Sequence, residues 1–245
     1  MTDAAILVIG NEILSGRTRD ANIQFLATEL GALGIPLAEV RVVRDDTADI
    51  IAGLDALRSR YTYVFTSGGI GPTHDDITSD AVAAAFGVAL VRDPEAVRRL
   101  ALRHRGEDLN AARLKMADIP AGASLIDNPV SQAPGFRIGN VFVLAGVPSI
   151  LQAMFHSLKP SLAAGAPLQS RSVTMVAREG DLADQLTEIQ SRHPEVEIGS
   201  YPTFAEDGPR VSIVARGSQA AVLEQVVDEV HALATRLEAA VIATD

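Results

Sequence analysis

The run Ser67-Gly68-Gly69-Ile70-Gly71-Pro72-Thr73 constrains this chain more than any other segment. It follows a β-rich stretch, Tyr61 to Thr66, and precedes a helical one, Ser79 to Phe86, for which Thr78 is placed as N-cap. Glycines at the carboxyl end of a strand let backbone N–H groups approach a phosphate with no Cβ in the way. In an open α/β sheet, that edge is also where ligands gather. A tight turn uses the same glycines, so the pair Gly68-Gly69 alone is compatible with both readings. Thr73, Asp75, Asp76 and Thr78 crowd the run with oxygen atoms, which a turn by itself does not require. No Gly-Lys-Ser/Thr follows, which excludes a Walker A loop, and Gly-x-Gly-x-x-Gly is missing, which excludes the dinucleotide fingerprint.

The segments around the run alternate short apolar stretches with helical periodicity, the pattern of parallel strands joined by crossover helices. Ala4 to Ile9 and Leu37 to Val43 read as strands. Asp20 caps a helix with Ile23, Leu26, Leu30 and Leu33 on one face, and Asp46 or Thr47 caps another with Ile50, Ile51, Leu54 and Leu57 buried. Helices are expected from Asp93-Pro94, over Asn110 to Ala117 and from Pro148 toward Leu158, with strands at Ser124 to Ile126 and Val141 to Leu144. Ala163 to Ser170 reads as a domain junction, giving an α/β domain over residues 1–165 and a small one over 168–245. The second has the grammar βαββα: strand Val173 to Val176, helix Leu182 to Gln190, strands near Val196 to Ser200 and Val211 to Ala215, helix Ala220 to Leu237. That order is KH-like, yet Gly180, Gly199, Gly208 and Gly217 are too far apart for the Gly-x-x-Gly clamp of a KH domain.

Charge narrows the partners. Lys plus Arg number 21 against 31 Asp plus Glu, and from Leu168 onward six Arg and no Lys face thirteen acidic residues. Such a surface repels phosphate backbones, so no nucleic-acid partner is expected. With 47% hydrophobic and only 4% aromatic residues, the core must be aliphatic. The absence of cysteine removes disulfides, thiolate zinc sites and cysteine nucleophiles. No positively charged leader and no apolar run near 20 residues is present, so the expectation is a cytoplasmic protein with no membrane partner.

Several polar clusters fall where the same sheet edge is expected. Asp75 and Asp76 suit the start of a helix, where the macrodipole favours acids. Beside a diphosphate they would instead need a divalent cation between, since Mg²⁺ takes one or two carboxylates plus phosphate oxygens. Gly10-Asn11-Glu12-Ile13-Leu14-Ser15-Gly16, with Asp20 and Asn22, follows the first strand, and Asp45-Asp46 the second. Each also reads as a capped turn. Asn128-Pro129-Val130-Ser131-Gln132-Ala133-Pro134-Gly135 suits either a pocket wall or a structural turn. The five histidines have no metal-ligand spacing, and His74 reads as a solvated loop residue.

Together, Gly10 to Gly16, Ser67 to Thr78 and Ala133-Pro134-Gly135-Phe136 resemble the molybdopterin-binding domain over about residues 4–160. The order of motifs and the trailing small domain look like the N-terminal part of the competence/damage-inducible protein A family. The resemblance implies a three-layer α/β/α fold with a mostly parallel sheet and a homo-oligomer, dimer or trimer. It also implies a pocket for a nucleotide or pterin, with molybdopterin itself a possible ligand in that family. By motif position, Asp45 and Asp76 take the catalytic places. Asp45, Asp75 and Asp76 take those of a divalent metal, Mg²⁺ or a transition metal. Ser67, Gly68, Gly69, Gly71, Pro72, Thr73, Asn11, Glu12, Ser15, Asp20, Asn22, Asn128, Pro134 and Gly135 take those around phosphate and nucleotide.

On that resemblance, the leading expectation is metal-dependent hydrolysis of a nucleotide diphosphate such as ADP-ribose, to AMP and ribose 5-phosphate. The alternatives are adenylylation of molybdopterin and non-catalytic binding of pterin or nucleotide. The chain departs from the family pattern in three places: Ser131-Gln132 stands for Gly-Thr, Ala145 for the Pro of Leu-Pro-Gly-Val-Pro, and Met116-Ala117 for Gln-Ala. It stops before the C-terminal amidohydrolase domain of full-length members, so no deamidase activity is expected.

Overall fold

The computed structural model describes residues 2–103, 108–163, 165–205 and 208–245. Two compact units divide the chain, the first comprising Met1–Gly31 and Ile35–Gly165, the second Ala32–Gly34 and Ala166–Asp245. Ala164, within the expected junction, lies outside the described residues.

The first unit opens with β1 (Ala4–Ile9), α1 (Asn11–Leu14), α2 (Asn22–Ala32), β2 (Leu37–Val43), α3 (Thr47–Arg58), β3 (Tyr63–Ser67) and α4 (Thr78–Phe86). Then come β4 (Leu90–Arg92), α5 (Pro94–Arg103), α6 (Ala111–Lys115), β5 (Asp118–Pro120), β6 (Ser124–Ile126), β7 (Gly135–Ile138), β8 (Val141–Leu144) and α7 (Pro148–Leu158). The main sheet has the order β2-β1-β3-β8-β7-β6, with the first four strands parallel and β7 antiparallel to both of its neighbours, β8 and β6.

All six residues of β1 are buried, because helices cover both faces of the sheet. On one face Ala5, Leu7 and Ile9 pack with Ile50, Leu54 and Leu57 of α3 and with Ala81 and Val82 of α4. On the other, Phe65 stacks on Phe142 at 5.1 Å and meets Phe155 of α7, which in turn meets Phe25 of α2. The period of two along each strand thus separates two helix layers, giving the three-layer α/β/α architecture. Burying each such Leu, Ile or Phe contributes roughly 1.5–3 kcal/mol, which anchors the strand ends that carry the site.

Side-chain caps mark some of the helix starts, while α1 and α4 begin without one. Asp46 caps α3, its Oδ1 accepting from the amides of Ala48 (3.0 Å) and Asp49 (3.1 Å). Asp20 does the same for α2 through Ile23 N at 2.7 Å. Thr78, expected as an N-cap, is instead the buried first residue of α4; its hydroxyl donates to Gly68 O at 2.9 Å rather than capping. The helix expected over Asn110 to Ala117 contracts to α6, because Ala117 already leads into β5. Neither β4, β5 nor β7 was expected, each being four residues or fewer.

The second unit contains β9 (Gln169–Met175), α8 (Ala183–Arg192), β10 (Glu197–Ala205), β11 (Gly208–Gly217), α9 (Ala220–Arg236) and β12 (Val241–Thr244). Its antiparallel sheet has the order β10-β11-β9-β12. The expected βαββα unit therefore gains a final strand, which closes the free edge of β9. Leu223, Val226, Val230 and Leu233 of α9 recur every three or four residues and pack on Val173, Met175, Val211 and Ile213. No helix among the described residues is long and apolar enough to cross a membrane.

Candidate functional site

Strand register builds the site. Val8 of β1 pairs with Ser67 of β3, Ser67 pairs with Leu144 of β8, and Ile9 pairs with Val43 of β2. The loops leaving all four strands therefore open on one carboxyl edge of the sheet.

The glycine loop leaves β3 there. At Gly68 (φ 109) a Cβ would lie 2.2 Å from Ile9 O, and at Gly69 (φ 70) it would lie 2.1 Å from Thr78 Oγ1. Both positions demand glycine by conformation and by space. Gly68 N donates to Leu144 O at 3.2 Å, and Gly69 O accepts from Thr78 N at 3.0 Å. These bonds fix the loop's start while leaving the amides of Gly69, Ile70 and Gly71 with no acceptor among the described residues. Consecutive uncommitted N–H groups are the raw material of anion-binding loops.

Asp76 and Lys115 close the far side of the loop. Asp76 Oδ2 accepts from Thr73 N at 2.8 Å and from the Thr73 hydroxyl. Gly71 leaves room for that carboxylate, since a Cβ there would sit 2.6 Å from Asp76 Oδ2. Lys115 Nζ donates to Thr73 O at 3.0 Å and to Asp76 O at 2.7 Å. Asp75 points to solvent, its side chain 62% exposed. Thr73 beside it, then its own amide, hold its carboxyl below the ordinary range, with help from the charges of His74 and Lys115.

The Gly10–Gly16 segment divides its residues between wall and brace. Glu12 lines the cavity. Asp45, expected beside Asp76, instead accepts from Asn11 N at 2.8 Å through Oδ2 and is not part of the cavity lining. Ser15 Oγ donates to Glu12 O at 3.3 Å, within the turn. Asn22 is buried under the site: its Nδ2 donates to Ser67 Oγ at 2.9 Å and to Gly146 O at 2.8 Å, tying together α2, the end of β3 and the loop after β8. It supports the loops rather than lining the cavity, as do Ser67 and Asp20.

The third loop folds around Asn128. Its Oδ1 accepts from Val130 N and Ser131 N at 3.1 Å each, while Nδ2 donates to Ser131 Oγ at 2.5 Å and to Ala133 O at 2.7 Å. Asn128 lies on the cavity wall with its amide committed to the loop. Pro134 and Gly135 lead into β7, where a Cβ on Gly135 would lie 2.4 Å from Val143 O, so this glycine serves sheet packing.

These loops enclose a cavity of about 550 Å³. At one side stand Gly68, Gly69, Gly71, Pro72 and Asp76; elsewhere Met116, Ala133, Val147, Ile150 and Met154 supply apolar surface. A volume of this size suits a small heterocyclic ligand. Sequence reasoning missed Met116, Ile150 and Met154 as wall residues, while Ser131 lies in the loop read as either pocket wall or turn. Ile150 and Met154 stand four apart at the start of α7, a spacing that also fits an ordinary core face. Lys115 was missed too, because a lone lysine at a helix end carries no motif.

Among the described residues, the lining includes two carboxylates, Glu12 and Asp76, and no Lys, Arg or His. Among the described residues, no three acidic or histidine side chains are gathered to hold a metal ion. Asp45, Asp75 and Asp76 thus do not form a ready-made cluster: one carboxylate braces α1, one faces solvent and one lines the cavity.

Residues 5–164 match the family described as a probable molybdopterin binding domain, and residues 167–243 match the FAD synthase middle domain. The second match adds to the sequence reading, which found only a small α+β unit there. A protein from Aeropyrum pernix is 37% identical over 88% of this chain and 85% of its own length. A CinA-like protein from Thermomicrobium roseum is 34% identical over 99% of this chain, which spans 62% of that protein. A probable FAD synthase from Caenorhabditis elegans is 33% identical over 94% of this chain, which spans 49% of it. The crystal structure of the protein CinA, of unknown function, from Thermoplasma acidophilum superimposes with a TM-score of 0.62 at 34% identity, covering 65% of this chain and 97% of that one.

Proposed function

Because this chain belongs to the molybdopterin-binding domain family, we propose that its cavity binds a phosphorylated pterin or nucleotide, phosphate on the glycine loop and ring on the apolar wall. The observation that carries this reading is the set of uncommitted amides at Gly69, Ile70 and Gly71, beside a cavity of about 550 Å³. Free backbone amides act on an anion at contact, where the net charge of −10 spread over the chain is largely screened. The FAD synthase relative and the match at residues 167–243 make adenine nucleotides a natural member of the ligand class.

A diphosphate or triphosphate would stand close to Glu12 and Asp76, with no side-chain cation in the wall among the described residues. A divalent ion accompanying the ligand would relieve that repulsion, its coordination completed by phosphate oxygens and water around one or two carboxylates. Asp76 is the residue best placed for this, since it lies between the loop amides and the open cavity. Turnover, whether ADP-ribose hydrolysis or adenylyl transfer to a pterin, would use the same arrangement with Asp76 at the metal. Binding is the more economical reading, because Asp45 is already engaged by Asn11.

Calorimetric titration of AMP, ADP-ribose, FAD and a pterin monophosphate, each with EDTA and with Mg²⁺, tests the proposal. Binding of at least one in the micromolar range is expected, together with a steeper Mg²⁺ requirement for the diphosphates. Failure of all to bind under both conditions would remove it. Product analysis of the same mixtures separates binding from turnover.

A further inference from the structure

The third loop contains a donor with no acceptor among the described residues. Ser131 Oγ accepts from Asn128 Nδ2 at 2.5 Å, and Ser131 N donates to Asn128 Oδ1 at 3.1 Å. The hydroxyl hydrogen itself has no acceptor among the described residues. A serine hydroxyl offers one donor and two acceptor sites. With one acceptor site filled by an amide N–H, the O–H donor and one acceptor site remain.

The backbone holds Ser131 at the cavity. Gln132 adopts φ 64, a left-handed conformation uncommon for a residue with a Cβ. Its amide donates to Asn128 O at 3.0 Å and its Nε2 to Pro129 O at 3.2 Å, so the turn is held from both ends. Ser131 and Ala133 on either side of Gln132 both line the cavity. They share the wall with Met116, Ile150 and Met154, none of which brings a strong acceptor. The same wall also carries Glu12, Thr18 and Asp76, and a hydroxyl among such groups discriminates between ligands because it is left unpaired when the wrong one enters.

From this geometry we infer that Ser131 is a specificity-determining residue, its hydroxyl donating to a ring-nitrogen acceptor of the ligand's fused heterocycle. The inference rests on the ring-and-phosphate reading of the cavity given above. It adds that the site reads the edge of the ring, as well as binding its apolar face. A ligand with a ring nitrogen at that edge is accepted, and the same ligand with a C–H there is disfavoured.

The test compares affinities of wild type, Ser131→Ala and Ser131→Thr for AMP and its 1-deaza, 3-deaza and 7-deaza analogues. The pterin monophosphate and its deaza analogues are titrated in parallel. For whichever parent binds, wild type is expected to lose about five- to tenfold in affinity for one deaza analogue, the size of one neutral hydrogen bond. Ser131→Thr should retain that ratio and Ser131→Ala should abolish it. A purely structural role would lower all affinities together and leave the ratio intact in Ser131→Ala, which overturns the inference. Equal affinity of wild type for parent and every analogue overturns it as well. If neither parent binds wild type, the ligand reading itself fails and this inference falls with it; if a parent binds without discrimination, only the inference falls.

Discussion

Lys115 Nζ lies 2.7 Å from the carbonyl oxygen of Asp76, so the last residue of α6 grips the backbone of the residue whose carboxylate faces the cavity. A second bond, 3.0 Å to Thr73 O, spans the turn from its other end. The glycine loop is therefore held at its start by β8 and Thr78 and at its end by a cation on a separate helix.

Replacing that cation tests whether the grip matters to the ligand. Lys115→Met keeps the length and removes two charge-assisted bonds, each worth about 1.5–3 kcal/mol when shielded and less at a half-exposed site. Affinity for a phosphate-bearing ligand should fall about three- to tenfold, with partial recovery in Lys115→Arg. Titrations of the three proteins check this; identical affinities would reduce Lys115 to a surface contact.

The glycines of the loop should separate by role. Gly69→Ala puts a Cβ 2.1 Å from Thr78 Oγ1 on a left-handed backbone, and should cost more than about 2 kcal/mol in urea denaturation. Gly71→Ala is different: its φ is unremarkable and its Cβ would meet only the Asp76 carboxylate, at 2.6 Å. That variant should fold with nearly wild-type stability and lose ligand affinity, because Asp76 must swing away from Thr73. Denaturation curves and titrations on the same samples decide both statements.

Asn22 carries the cross-brace beneath the site. Asn22→Leu leaves Gly146 O and Ser67 Oγ without their donor in a buried place, a loss of about 1–3 kcal/mol. The midpoint of chemical denaturation should drop accordingly. An unchanged midpoint would show that water replaces the amide at no cost.

Particular residues explain what could be read from sequence alone. The apolar run Ala4–Ile9 announces a strand covered on both faces, and Gly68 to Gly71 after Tyr63–Ser67 announces a backbone that approaches something closely. Which polar side chain lines the cavity and which braces it was not legible. Asp45, Asp20 and Asn22 have the composition of binding residues, yet each satisfies a backbone or loop partner, and only pairing register reveals it. The same holds for Thr78, whose hydroxyl is turned inward by the close approach of Gly68. The strand Val241–Thr244 left no signal because all four side chains are exposed, so its stability comes from backbone pairing with β9 rather than from an apolar pattern.

The second unit offers a test of charge. Glu229 is held below the ordinary carboxylate range, first by Arg192 and then by His193, whose Nε2 lies 2.9 Å from Glu229 Oε1. A lowered folded-state pKa means that the ion pair's contribution is present above the ordinary value of about 4.3 and is lost as pH falls through the folded value. Glu229→Gln should lower stability at pH 7 by less than about 1 kcal/mol, because the pair is partly exposed. The difference between wild type and variant should shrink at pH 3. Urea denaturation at both values checks it, and a gap that widens in acid would contradict the sign.

The amides of Gly69, Ile70 and Gly71 can be observed directly by ¹H–¹⁵N correlation spectroscopy during titration with AMP and with a pterin monophosphate, with and without Mg²⁺. All three cross-peaks should move downfield and gain protection from hydrogen exchange as the ligand saturates. Saturation with those three peaks unmoved, while others shift, would place the ligand elsewhere and contradict the account.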